Sequence, residues 1–209
     1  MQDQFRRAAI TSPVVKVAGA VVPDRPVMNK GGRLSMAVPI VSFVGRSNSG
    51  KTTLIERVIP ELVRAGYKVA TVKHAGHGFD LDTEGKDSWR HKQAGASSVV
   101  VLSKGSMAMF ADVSDQINVE EVRERFLDSS YDLIIAEGWK HEGYPKIVIV
   151  RDQLGEIPVS TEGLLAVVSD KPVDLAIPLF GLDDVVGVAA FIMKQFPRSQ
   201  SRAEHGLAT

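Results

Sequence analysis

Along the chain, short apolar runs alternate with longer stretches in which hydrophobic positions recur at helical spacing. Residues 40–44 (IVSFV) form an apolar run of strand length, and after a polar, glycine-containing gap comes LIERVIPELVRAG. There Leu54, Ile55, Val58, Ile59, Leu62 and Val63 repeat on one helical face, and Gly66 supplies a stop. Pro60 falls inside the pattern, so a kinked or broken helix is expected. KVATVK (68–73) reads as the next strand and completes a strand–loop–helix–strand unit, which joins parallel strands. Residues 87–96 read as a helix, and SSVVVLSKGSMAMFADV as two strands turning at Lys104-Gly105 into an antiparallel hairpin. Residues 118–127 are predicted helical, residues 131–138 (YDLIIAEG), 146–151 and 164–170 are predicted strands, and 183–196 is an amphipathic helix with Gly187 as a weak point. This alternation predicts an α/β fold: a mostly parallel sheet flanked by helices, with an antiparallel hairpin extension.

Texture also divides the chain. Residues 1–35 hold Pro13, Pro23 and Pro26 with no sustained periodicity, which predicts a mobile extension or a start placed too early, with Met36 as the natural beginning. One domain is expected over residues 36–197, followed by a short tail at 198–209. Lys+Arg and Asp+Glu both number 25, so no global field favours nucleic acid. Cysteine is absent, which excludes disulfides, thiol catalysis and thiolate metal sites. No apolar run approaches the ~20 residues of a membrane span. Arg6-Arg7 and the apolar stretch behind them have the outline of a twin-arginine signal, but Pro13 and Lys16 interrupt it, so a cytoplasmic location is expected.

The gap after the first strand carries the clearest chemistry. Gly45-Arg46-Ser47-Asn48-Ser49-Gly50-Lys51-Thr52 has the G-x4-G-K-T spacing of a phosphate-binding loop, which occurs by chance in about 1% of chains of this length. Here it also lies between an apolar strand and an amphipathic helix, the context such a loop requires. Gly45 and Gly50 let successive backbone N–H groups, through Asn48, Ser49 and Thr53, turn toward a β-phosphate. Lys51 reaches β/γ oxygens, and the Thr52 hydroxyl ligates Mg²⁺. The fold is therefore expected to be a P-loop nucleotide-binding fold.

Three further segments supply candidates. Glu137 closes the apolar run LIIA, at the sheet edge where ligands of such folds bind, and is favoured as a metal-site or water-positioning group; Asp132, at the strand's other end, reads as structural. Residues 73–91 (KHAGHGFDLDTEGKDSWRH) begin on that same edge. They read as a switch segment rather than a transition-metal site, because the histidine spacing fits no zinc pattern. Lys73 and His74 could reach phosphate oxygens there, and Asp80 or Asp82 could face the metal. Finally, Asp170, after the strand LLAVVS, could accept the guanine N1–H and N2–H pair or merely cap the strand.

Together PIVSFVGRSNSGKTTLI, KHAGHGFDLDTEGKDS with its following AGA, AEGWKHEGYPKIVIVRD and AVVSDKP resemble the molybdopterin-guanine dinucleotide biosynthesis adaptor (MobB) family over roughly residues 38–196. Two positions depart from that pattern: Gly76, where relatives tend to carry a histidine, and Glu84, where they tend to carry proline. The resemblance implies GTP and Mg²⁺ as ligands and slow hydrolysis at best. It also implies a homodimer, for which the hairpin around Gly105 would serve, and association with the guanylyltransferase that joins GMP to molybdopterin. Molybdopterin itself, and a molybdoenzyme or its chaperone, are further implied partners. Residue by residue, Gly45, Gly50, Lys51, Thr52 and Thr53 match the family's nucleotide loop and Glu137-Gly138 its second motif. Lys51 and Glu137 are thus the expected catalytic pair, with Thr52, Glu137 and Asp82 around the metal.

A phosphate loop of this kind also serves two other classes of protein. A small-molecule kinase needs an arginine-rich lid, and no segment after the loop has that composition. A nickel-enzyme metallochaperone GTPase is opposed by the missing cysteines and the lack of a histidine-rich tail.

Overall fold

The computed structural model describes residues 26–28, 34–76, 78, 83–140, 142–151, 161–173 and 175–198. A short antiparallel ribbon, β1 (Pro26–Met28) with β2 (Leu34–Met36), leads into the domain. β3 (Ile40–Gly45) runs into α1 (Lys51–Arg64), then β4 (Val69–Lys73), α2 (Asp87–Gln93) and the hairpin β5 (Ser98–Ser103) and β6 (Ser106–Ala111). α3 (Val119–Phe126), β7 (Leu133–Glu137), β8 (Lys146–Val150), β9 (Leu164–Ser169), β10 (Leu179–Phe180) and α4 (Val185–Gln195) complete the order.

Six strands form one wholly parallel sheet in the order β10-β9-β8-β3-β7-β4. β3 is central and buried along its length, as its unbroken apolar run requires of a strand covered on both faces. Val41, Phe43, Ile135, Ile147 and Ile149 turn one face toward α1 and α4, where Val58, Leu62, Val188 and Ile192 are fully enclosed. Ile40, Ile134 and Ala136 on the other face pack against Val119 of α3 and Tyr144. α1 is continuous through Pro60, so of the kink or break expected there the break does not occur. Val58 and Leu62 bury on either side of it, and that packing outweighs the one backbone hydrogen bond the proline removes. β10 was not expected from the sequence: it is two residues long and follows a proline.

The hairpin stands apart from the sheet. Its register pairs Ser103 with Ser106, which leaves Lys104 and Gly105 as the turn expected from the sequence. Val100, Leu102, Met107 and Met109 on it are exposed, Leu102 by 73% and Met107 by 68%. No helix among the described residues is long and apolar enough to cross a membrane.

Candidate functional site

The site is built where β3 stops. Gly45 pairs with Ile149 of β8 and has no room for a side chain: a Cβ there would lie 2.5 Å from the Ile149 carbonyl oxygen and 2.7 Å from Ser49 Oγ. Beyond it the chain turns through Asn48 at φ +61° and Gly50 at φ +92° before α1 begins. Such left-handed positions let neighbouring N–H groups converge on an anion. α1 opens with no side-chain cap and no acidic residue in its first turn, while Asn118 caps α3 and Asp184 caps α4. The first-turn N–H groups of Lys51, Thr52 and Thr53 are thus free for a ligand. Ser49 Oγ is buried in the same loop without a hydrogen-bond partner among the described residues.

Lys51 folds back over the loop, its ammonium donating to the Arg46 carbonyl at 2.7 Å and the Gly45 carbonyl at 3.3 Å. Burial holds its pKa below the ordinary lysine value; Glu137 opposes that shift, while Lys140 and Lys73 add to it. A lysine so placed gains most when an anion arrives beside it.

The sheet delivers Glu137 to the same spot. β7 lies between β3 and β4, with Phe43 and Lys73 as the register partners of Glu137. The Thr52 hydroxyl donates to Glu137 Oε1 at 2.7 Å, across 85 residues of sequence. Lys73 Nζ is 3.6 Å from Glu137 Oε2, and the Glu137 side chain is only 14% exposed. Because the hydroxyl proton is committed to the carboxylate, the lone pairs of Thr52 remain available for a hard cation. The donor set therefore suits Mg²⁺ held jointly with phosphate oxygens. It does not suit a self-sufficient protein cage, and no cluster of three or more His, Asp or Glu among the described residues could form one.

The other expected residues fall as follows. His74 donates its backbone N–H to the Glu137 carbonyl at 2.9 Å, and its ring meets Trp139 edge-on at a centroid distance of 5.1 Å. Asp170 is exposed just past β9, on the loop's edge of the sheet but two strands from β3. Asp132, at the far end of β7, accepts from the Lys68 N–H at 2.8 Å and faces Arg198 Nε at 3.6 Å, a structural role as expected. Asp82, His77 and Asp80 lie outside the described residues.

Sequence reasoning did not single out Lys140 or Arg151. Lys140 is close enough to Lys51 to lower its pKa. A Cβ at Gly50 would lie 4.0 Å from Arg151 Cζ and Nη2. The only sequence signal for Lys140 is its position three residues after Glu137; Arg151 becomes visible only through the β3–β8 register. Lys51 and Lys73 thus share the Glu137 carboxylate while Lys140 lies near Lys51 and Arg151 near Gly50, a set of positive charges along the loop that suits a polyphosphate.

Residues 40–170 match the family described as molybdopterin guanine dinucleotide synthesis protein B. The molybdopterin-guanine dinucleotide biosynthesis adapter protein of Escherichia coli K12 is 36% identical over 162 residues, which cover 75% of this chain and 93% of the relative. The crystal structure of a molybdopterin-guanine biosynthesis protein B superimposes with a TM-score of 0.64 at 37% identity, covering 75% of this chain and 98% of the other. A nucleoside-triphosphatase of Thermococcus kodakarensis is 31% identical over 149 residues, 66% of this chain and 81% of its own length.

Proposed function

The chain belongs to the molybdopterin guanine dinucleotide synthesis protein B family of molybdenum cofactor biosynthesis, and from that premise we propose that it is a GTP-binding adaptor. In this reading it assists the guanylyltransferase that joins GMP to molybdopterin. The observation that carries the reading is the Thr52–Glu137 hydrogen bond at 2.7 Å beside Lys51, which joins the loop threonine to the carboxylate that ends β7. The loop N–H groups and Lys51 hold the phosphates, and Asp170 is the group that would read guanine. Mg²⁺, held through Thr52, would supply charge neutralisation at the β/γ oxygens. Glu137 keeps the Thr52 hydroxyl oriented, and Lys73 balances the Glu137 charge.

Slow hydrolysis is expected of the protein alone, and docking of the guanylyltransferase is expected to accelerate it. The exposed apolar hairpin suits a homodimer in the cytoplasm, with molybdopterin and a molybdoenzyme or its chaperone as further partners. The test is capture of purified guanylyltransferase by the immobilised chain with GTP, GDP or no nucleotide. Nucleotide-dependent retention and a faster GTP turnover in the complex support the proposal. No retention under any condition refutes the adaptor role.

A further inference from the structure

Resting on the nucleotide-site reading, the geometry points to Arg151 as a phosphate-binding residue that the chain supplies to its own loop. Register brings it there. Gly45 is the last residue of β3 to pair with β8, opposite Ile149, and β8 continues through Val150 while β3 turns away into the loop. Arg151 therefore emerges one step past the point where its neighbour strand has left the sheet. Ile147 and Ile149 of the same strand face the α1 side of the core, and by two-residue alternation Arg151 follows them. Its guanidinium reaches Gly50, where a Cβ would lie 4.0 Å from Cζ and Nη2, so the fork lies over the start of α1.

What it meets there is positive. The helix start carries no acidic residue, and Lys51 follows Gly50 directly. Glu137, the site's carboxylate, is already engaged by Thr52 and Lys73. Arg151 faces no carboxylate among the described residues, whereas Arg57, which lies on α1 itself, is paired with Asp183. A guanidinium set against a helix N-terminus is disfavoured by the positive end of the helix until an anion enters between them. Its planar fork then matches two phosphate oxygens at once, which an ammonium does not.

The experiment is a titration of the full-length chain and its Arg151→Ala and Arg151→Lys variants with GTP, GDP and guanosine. Melting of each ligand-free protein is measured alongside. A charge-assisted contact predicts about ten- to hundredfold weaker GTP and GDP binding in Arg151→Ala, with an intermediate loss in Arg151→Lys. The guanosine affinity and the ligand-free melting temperature are expected to hold or, for melting, to rise slightly as the repulsion is removed. Unchanged GTP affinity in Arg151→Ala overturns the inference while leaving the nucleotide site intact. So does an equal loss for guanosine, which places the residue on the nucleoside, or a ligand-free destabilisation that tracks the loss. Failure of the wild-type chain to bind any nucleotide retires the site reading itself, and the inference with it.

Discussion

Replacing Gly45 with alanine adds one methyl group where β3 meets the phosphate loop. That carbon would lie 2.5 Å from the Ile149 carbonyl oxygen and 2.7 Å from Ser49 Oγ. Carbon–oxygen contacts settle at about 3.3 Å, so backbone must retreat by roughly 0.8 Å. The carbonyl belongs to β8, which is hydrogen-bonded to β9 as well as to β3, and it cannot swing aside alone. Overpacking of this kind costs about 1–3 kcal/mol. At this chain length each kcal/mol moves the midpoint by roughly 2–4 °C, so a fall of about 6 °C lies near the centre of the expected range. Scanning calorimetry of the ligand-free protein reads it. Ser49→Ala added to Gly45→Ala, referred to Ser49→Ala alone because that buried hydroxyl has no partner among the described residues, relieves the hydroxyl contact and leaves the carbonyl one, so less than half of the loss should return. A Gly45→Ala midpoint within about 1 °C of the parent, or full recovery in the double variant, would refute the close-packed account of the loop.

Other consequences follow from the same geometry. Glu137→Gln leaves an amide oxygen for Thr52 but removes the charge, so Mg²⁺ should no longer tighten nucleotide binding; titration with and without EDTA checks this. Lys51→Met should abolish nucleotide binding while raising ligand-free stability, since burial and two neighbouring lysines disfavour the ammonium. The sign of its pH dependence follows: with the folded pKa below the unfolded one, the unfolded chain binds the extra proton in the window between them. Wild-type stability should therefore fall as pH drops through the ordinary lysine pKa toward the folded value, and chemical unfolding at several alkaline pH values should show that slope reduced in Lys51→Met. Paired Leu102→Asp and Met107→Asp substitutions on the exposed hairpin should shift the proposed dimer to monomer in sedimentation and leave GTP affinity within about twofold, and a parent chain that sediments as a monomer would retire that part of the proposal.

The phosphate loop could be read directly from the chain because its requirements are local: two glycines, a lysine and a threonine at fixed spacing before an amphipathic helix. The position of Glu137 was legible for a related reason, as a carboxylate ending a buried run falls at the edge of a parallel sheet. Their contact was not legible, since the hydrogen bond from Thr52 to Glu137 depends on β7 lying beside β3. Arg151 shows the same limit more sharply. In sequence it is a charge closing a strand, and only the pairing of Gly45 with Ile149 puts it over Gly50. β10 escaped because two residues carry no periodicity, and the expected break at Pro60 failed because tertiary packing on both sides of it overrode a local preference.

The central claim is that this loop, with Glu137, holds a guanine nucleotide. Calorimetric titration of the purified chain with GTP and then ATP, each with Mg²⁺, tests it most directly. One GTP bound per chain, at least tenfold tighter than ATP and lost in Lys51→Met, is the predicted result. Equal affinity for ATP would contradict the guanine assignment, and no heat from either nucleotide would contradict the site.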